Sequence, residues 1–459
     1  MLKASLRIAT CALLAAWLCV SQAQTAEQAH RVGDFYAKAD GFSGTILVVR
    51  DGTIISNESY GLASVELNVP NTANTRFAIG SITKQFIAAA ILLLQEQGLL
   101  KTTDTLAQHY PQTPSAWKEI TLRQLLQHTS GIPDGMHTWG GAGESLGEPT
   151  PQRAVAAVAS KPLLFQPGSR MEYNNMGYVL LGLVIENVSK QTLSEFLQQH
   201  FFTPLQMHDT GLASSLQVIP HMATGYEPEP NGLQRANLIP FSSIFAAGSI
   251  YSTGADLAKW MTALHSGRVL KPASYAEMTT AGPFGYGYAL FISKQSDQVD
   301  LFHNGRVSGF ASQTDFFPET KTGIILLSNR LSHNVSPGEA AAETDLMHLA
   351  TDPNAVVRSL GGERHIDPTI LPRYTGIYIA DDANIPPVLI ELKDGHLRLT
   401  PKGKDPSTLI ARDDHEFYVK EAEEETEFLQ APDGSVTLNI FILPTQTALS
   451  MKRSSPATK

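Results

Sequence analysis

The sequence predicts an α+β fold: an antiparallel sheet built from strands at both ends of a large domain, helices between them, and a small all-β domain behind. Three observations predict it. Strand signals flank a stretch of helical periodicity from Phe77 to Glu195, an Asp51-Gly52 turn joins two β-branched runs, and short alternating runs dominate the chain from Leu371 onward.

Taken in order, residues 1–23 read as an export signal. Lys3 and Arg7 precede an apolar stretch from Ile8 to Val20, and Ser21-Gln22-Ala23 supplies the small residues a signal peptidase needs, so cleavage after Ala23 is expected. A lipoprotein signal at Cys19 is the rival, but Trp17-Leu18 lacks the small residues it requires. The stretch is too short to span a bilayer comfortably, and no later segment reaches the ~18 apolar residues of a membrane helix. A soluble periplasmic or secreted chain is therefore expected.

Both cysteines, Cys11 and Cys19, fall in the signal, so export brings no disulfide. The formal charge of −10 becomes −12 once Lys3 and Arg7 leave, because residues 1–23 hold no acid. Such a balance argues against nucleic acid or anionic lipid as partner.

Thr45 to Arg50 and Thr53 to Ile55 form the first hairpin, since Asp-Gly suits primed turns. Helices follow at Gln85 to Gln97, Thr121 to His128 and Gly177 to Val188, two of them closed by Gly98 and Gly131. Thr253-Gly254-Ala255-Asp256 resembles a capping box that opens a helix running toward Gly267. Strands return at Tyr286 to Ile292, Val299 to His303, Phe310 to Phe317 and Gly323 to Ser328.

Asp352-Pro353 and Gly361-Gly362 mark a boundary. The expected domains are 24–350, a linker over 351–366, and an all-β domain over 367–459 with strands at Thr375 to Ile379, Val388 to Leu392, His396 to Thr400, Phe417 to Lys420 and Thr437 to Leu443. The acidic run from Glu421 to Glu425 reads as a solvated loop or edge.

Ser81-Ile82-Thr83-Lys84 places a serine and a lysine on one face at the start of the apolar helix, within reach of each other. Serine is a poor nucleophile until a neighbouring base takes its proton, so this pair suits nucleophilic catalysis. Ser115-Ala116-Trp117-Lys118 matches the same pattern, but it sits among Pro111 and Pro114 with no apolar helix behind it. Gly143-Glu144-Ser145-Leu146-Gly147 fits a nucleophile elbow, which demands a strand before and a helix after. A glycine-rich stretch precedes it instead, and Pro149 and Pro151 follow.

Tyr173-Asn174-Asn175 offers a phenol for proton relay and a carboxamide able to bind both a lysine and a substrate amide. His303-Asn304-Gly305 ends one strand signal just before another, where a glycine lets substrate lie against the strand edge. No histidine pattern matches a metal motif, so neither metal nor other cofactor is expected.

In that order, Ser81-x-x-Lys84, Tyr173-x-Asn175 and His303-x-Gly305 resemble the class C β-lactamase, D-alanyl-D-alanine carboxypeptidase and family VIII esterase group. Leu125 to Gly131, Gly177 to Gly182 and Ala246 to Ser252 resemble it too, and the likeness covers about residues 35 to 335. The resemblance implies a β-lactamase/transpeptidase-like fold, an antiparallel sheet flanked by helices with a helical subdomain beside it. It makes Ser81 the nucleophile, gives Lys84 and Tyr173 the base and acid roles in an order left open, and has Asn175 bind the acyl-side amide. The backbone N–H groups of Ser81 and Arg306 would receive the oxyanion.

Two departures bear on substrate. Class C enzymes usually carry Lys-Thr-Gly at the third motif, whereas here His303 is expected to titrate near neutrality and Asn304 replaces the hydroxyl. Arg306 either restores a cation for a substrate carboxylate or is a solvated loop residue. Ser332-His333-Asn334 follows the third motif instead of preceding it, which disfavours the class A and transpeptidase branch. The last domain resembles a lipocalin-like barrel that binds a small ligand or only caps its neighbour. The expected activity is acyl-serine hydrolysis of D-amino-acid-terminated peptides, among them peptidoglycan stem peptides, or of β-lactams or small esters. The alternative is a penicillin-binding sensor with slow or no turnover.

Overall fold

The computed structural model describes residues 22–135, 150–214, 216–229, 231–237, 240–295, 298–331, 336, 338–361, 363–382, 385–420, 424–442 and 447–455. The second serine decoy, Gly143 to Gly147, and Ser332-His333-Asn334 lie outside them, as do residues 1–21. The chain forms two compact units: residues up to 29 together with 42–333, and residues 30–41 together with 334–459.

The first unit is organised by a six-stranded antiparallel sheet. Its strands are β1 (Gly44–Arg50), β2 (Thr53–Tyr60), β3 (Phe291–Gln295), β4 (Gln298–Val307), β5 (Phe310–Phe317) and β6 (Thr322–Ser328), in the order β3-β4-β5-β6-β1-β2. The N-terminal hairpin and the later strands share one sheet because β1 pairs with β6 from Gly44↔Ser328 to Arg50↔Thr322. Positive φ angles at Asp51 (48°) and Gly52 (75°) make the expected primed turn.

Two strand boundaries differ from expectation. The aromatic run from Tyr286 turns before it pairs: Gly287 N donates to Leu290 O, Ala289 has φ 57°, and β3 starts only at Phe291. In contrast, β4 does not stop at His303 but continues to Val307. On its β3 side β4 is paired only through Phe302, so residues 303–307 form an edge on that side while β5 pairs the other.

Helices α1 (Thr83–Glu96), α2 (Asn175–Ser189) and α3 (Phe241–Gly248) pack on one another, and α4 (Gly254–His265) packs against β1, β2 and β6. Eleven of the fourteen residues of α1 are buried, which is why its sequence is apolar nearly all round. Phe86 stacks on Trp260 of α4 at 4.0 Å, and Trp260 Nε1 donates to Gln85 Oε1. Thr253 caps α4 as predicted, accepting from Asp256 N. Gly182 lets α2 and α3 touch: a Cβ there would stand 2.5 Å from that of Ala246. Phe245, buried in α3, is held at φ 34°, ψ −124°, a strained backbone for a bulky residue.

In the second unit, eight antiparallel strands close into a barrel: β7 (Gly376–Ala380), β8 (Val388–Lys393), β9 (His396–Pro401), β10 (Ser407–Ala411), β11 (Glu416–Val419), β12 (Glu424–Gln430), β13 (Val436–Ile442) and β14 (Thr447–Ser455), with β14 pairing back on β7. Side chains including Tyr378, Ile390, Leu438 and Met451 fill a common core, and Tyr374 stacks on Phe428 at 4.4 Å. Helix α5 (Glu339–Thr351) belongs to this unit, whereas the sequence boundary at residue 350 assigns it to the first domain. Buried charge explains the difference. Arg412 of the barrel donates to Asp345 of α5 at 3.3 Å, and Tyr36 donates to the same carboxylate at 2.8 Å.

Of the acidic run, residues 421–423 lie outside the described residues, and Glu425 differs from expectation. Glu425 is not a solvated edge residue but the second ion-pair partner of Arg412. Burial alone would raise its pKa, yet Arg412, aided by His348, brings it down to about 2.

Candidate active site

Ser81 stands where a short strand turns into α1. Phe77-Ala78 pairs with Tyr251 and Ser252, Ile79 N donates to Ile250 O at 3.0 Å, and a 3-10 turn over Gly80–Ile82 then feeds the helix. Gly80 has φ 48°, and a Cβ there would come within 2.8 Å of Arg306 N. The turn thus needs glycine for both angle and room.

Lys84, the second residue of α1, is fully buried, and its Nζ donates to Ser81 Oγ (2.9 Å), Asn175 Oδ1 (2.9 Å) and Ala247 O (2.7 Å). The rings of Tyr173 and Tyr178 lie 4.9 and 5.4 Å from it. Three acceptors match the three N–H bonds of an ammonium, but burial disfavours the charge. Desolvation pulls the Lys84 pKa down to about 7, with Asp134 opposing the fall. Near neutrality this amine is therefore partly unprotonated beside the serine hydroxyl and able to take its proton.

Tyr173 is 37% exposed at the site's rim. Desolvation raises its phenol pKa and a hydrogen bond with Ser81 partly offsets this, so the group keeps its proton at neutral pH. Its ring lies 4.3 Å from that of His128, which is buried and accepts from Asn174 N at 3.1 Å.

Asn175 opens α2. The N-cap is its neighbour Asn174, whose Oδ1 accepts from Gly177 N at 2.8 Å. Asp134 is a residue that reading the sequence missed. Its carboxylate accepts from Asn175 N (2.6 Å), Met176 N (3.0 Å) and Asn175 Nδ2 (3.1 Å). The available signal was Leu125 to Gly131, already singled out, which ends three residues before it.

His303 is buried, and its ionisation differs from expectation. Burial first, and then the Lys84 charge, pull its pKa down to about 3, against a weaker opposing effect of the Asn304 backbone, so the ring is neutral around pH 7. The tautomer follows from the partners: Nδ1 faces Asn304 O at 2.6 Å and must donate, leaving Nε2 to accept from the Tyr286 hydroxyl at 3.0 Å.

Gly305 owes its identity to close packing of the strand on the turn that carries Ser81. A Cβ would meet Ile79 O at 2.1 Å, Ser312 Oγ at 2.5 Å and Ser81 N at 2.9 Å. The backbone N atoms of Ser81 and Arg306 therefore border the same small region. Strand periodicity points the Arg306 side chain away from the face on which Gly305 meets Ser81. Its guanidinium donates to Gly305 O (3.0 Å) and Ser312 O (3.1 Å), which makes it a brace of β4 and β5 and not a solvated loop residue.

The decoy Ser115 is exposed, as is Lys118, on a 3-10 turn anchored by buried Trp117. Among the described residues the one grouping of side chains spaced for a metal is Asp413, His415 and Glu416 in the barrel. No helix among them is long and apolar enough to cross a membrane.

Comparison with known proteins places these features among relatives. The model of the family described as Beta-lactamase matches residues 29–348. The protein PbpX of Bacillus subtilis (strain 168), named as a candidate penicillin-binding protein, is 31% identical over 319 residues, 69% of this chain and 78% of that one. A penicillin-binding protein from Bacillus halodurans superposes with a TM-score of 0.61 at 27% identity, over 69% of this chain and 98% of the other. The D-amino acid amidase from Ochrobactrum anthropi SV3, complexed with L-phenylalanine amide, gives 0.60 at 26% identity, over 69% and 93%.

Proposed function

The chain belongs to the beta-lactamase family, and on that premise we propose that it is an exported serine hydrolase working through an acyl-Ser81 intermediate on small esters and amides, including D-amino-acid peptides. The carrying observation is the contact of Lys84 Nζ with Ser81 Oγ at 2.9 Å in a setting that brings the amine to about pKa 7. Unprotonated Lys84 takes the Ser81 proton as Oγ attacks the substrate carbonyl carbon. The backbone N–H groups of Ser81 and Arg306 receive the oxyanion, a role supported by their lying together where the Gly80 turn packs closely on Gly305.

Tyr173, holding its proton at neutral pH, passes it to the leaving alcohol or amine as the carbonyl re-forms. Lys84 then restores the Tyr173 proton. In the second half a water loses its proton to the same pair, its oxygen attacks the acyl carbon, and Ser81 leaves protonated with release of the acid.

Neither the neutral ring of His303 nor the outward side chain of Arg306 offers a cation to a substrate carboxylate, so neutral esters and amides are the best fit, and a D-Ala-D-Ala peptide, whose leaving D-alanine carries a carboxylate, is the weaker substrate. A substrate that depends on a cation for its carboxylate, as a β-lactam does, is expected to turn over slowly. The signal in residues 1–23, with Lys3 and Arg7 before its apolar stretch, supports export to the periplasm or beyond.

The test is a parallel assay of p-nitrophenyl butyrate, a D-Ala-D-Ala peptide and nitrocefin, with labelling by a fluorophosphonate. Steady ester hydrolysis is expected, with labelling lost in Ser81→Ala and kept in Ser115→Ala and Ser145→Ala. Labelling that survives Ser81→Ala, or a burst followed by no turnover on all three substrates, overturns the reading.

A further inference from the structure

We propose that Asp134 is a positioning residue of this site, locking the Asn175 carboxamide so that its oxygen stays on Lys84. The proposal rests on the serine hydrolase reading above and extends it to a group that no motif contains.

An asparagine side chain has two nearly isosteric ends, and only one orientation serves Lys84. With Oδ1 toward Nζ the contact is an accepted hydrogen bond of 2.9 Å. Turned over, the amide would aim its N–H bonds at an amine that needs acceptors. Asp134 removes the ambiguity. One of its carboxylate oxygens accepts from Asn175 Nδ2, so a flipped amide would set oxygen against carboxylate as well as nitrogen against amine. The other oxygen accepts from the backbone N–H groups of Asn175 and Met176, so the carboxylate is itself held by the first turn of α2, where negative charge is favoured.

The approach of Asp134 is fixed in turn by its own segment. Ile132 O accepts from Asn174 Nδ2 at 2.6 Å, His128 Nδ1 accepts from Asn174 N, and His128 O accepts from Glu172 N at 3.0 Å. Residues 128–134 thus grip residues 172–176 through side chains and backbone alike. Asp134 also brings the one charge found to favour protonated Lys84 against its burial.

Replacement separates positioning from simple helix capping. Asp134→Asn keeps an acceptor for the two backbone donors but loses the charge and the firm hold on Nδ2; Asp134→Ala loses all three contacts. The readout is the rate of fluorophosphonate labelling against pH, alongside thermal melting. Without the carboxylate Lys84 gives up its proton more readily, so the acid limb of the profile should move to lower pH in both variants. The plateau should fall about tenfold or more in Asp134→Ala as the Asn175 orientation is released. A folded Asp134→Asn protein with the wild-type limb and plateau overturns the proposal, as does a lowered melting temperature with an unmoved profile in both variants, which is the signature of a cap alone. Ser81→Ala serves as the separate arm: labelling that persists there overturns the hydrolase reading itself, whereas labelling lost there beside an unaffected Asp134→Asn overturns only the role of Asp134.

Discussion

Gly305 and Ile79 approach so closely that a single added carbon on the first would sit 2.1 Å from the carbonyl oxygen of the second. Strand β4 and the turn that carries Ser81 are therefore set against each other backbone to backbone, with Ser312 Oγ donating to Ile79 O at their contact. Gly305→Ala should push β4 away from Ser81, costing about 1 to 3 kcal/mol in urea unfolding as other overpacked interiors do. The ester kcat/KM should fall by about a hundredfold or more, because misplacement of the oxyanion donors by a fraction of an ångström is costly. Near-wild-type hydrolysis in a folded variant would show that the strand yields.

Lys84 should leave a pH signature in stability. Its pKa falls from 10.5 to about 7 on folding, so between those values the unfolded chain binds a proton that the native chain does not. Stability then rises with pH across that window, by on the order of a few kcal/mol in all, and the gain is lost as pH falls toward 7. Lys84→Met lacks the titrating group, so wild type should gain on it steadily between pH 7 and pH 10 in denaturant titrations. Parallel curves would contradict the depressed pKa.

Arg306→Ala tests the brace. Because the guanidinium bonds Gly305 O and Ser312 O, its loss should loosen the β4 edge and lower kcat/KM for a neutral ester and a carboxylate peptide alike, by about three- to tenfold. A loss confined to the carboxylate substrate would place the side chain in substrate recognition instead.

The Arg412 network offers a prediction away from the site. Removing one member of a buried ion pair strands its partner, so Arg412→Ala should destabilise the second unit by about 3 to 5 kcal/mol. The Glu425 contribution is present above its unfolded pKa of 4.5 and disappears as pH falls through about 2. Acid unfolding followed by circular dichroism should therefore begin at higher pH in Arg412→Ala than in wild type.

Sequence legibility followed the range of the interactions. Ser81 and Lys84 share one turn of helix, so their contact is written in their spacing, and the Asp51-Gly52 hairpin is equally local. Asp134 acts on Asn175 across 41 positions, and no local pattern announces that. The state of His303 depends on burial by Tyr286, Phe291 and Tyr173, which the motif does not contain. Tyr286 to Leu290 looks like a strand because aromatic residues suit strands, yet all five residues are buried in a turn. In α5 the acids Glu339, Glu343 and Asp345 are buried, and no local pattern announces a helix with buried charge that sits with the barrel strands. Strands β10, β12 and β14 escaped notice because barrel closure, more than their own alternation, holds them.

That closure governs how the second unit meets other molecules in a concentrated solution. Every barrel strand has a neighbour on each side, so among the described residues the ladder leaves no unpaired strand edge on which a further chain could add. Removing β14 would create two such rows at once, one on β7 and one on β13. A protein lacking it would present ready templates for intermolecular strand pairing, so the final strand protects the chain against self-association as well as completing its fold.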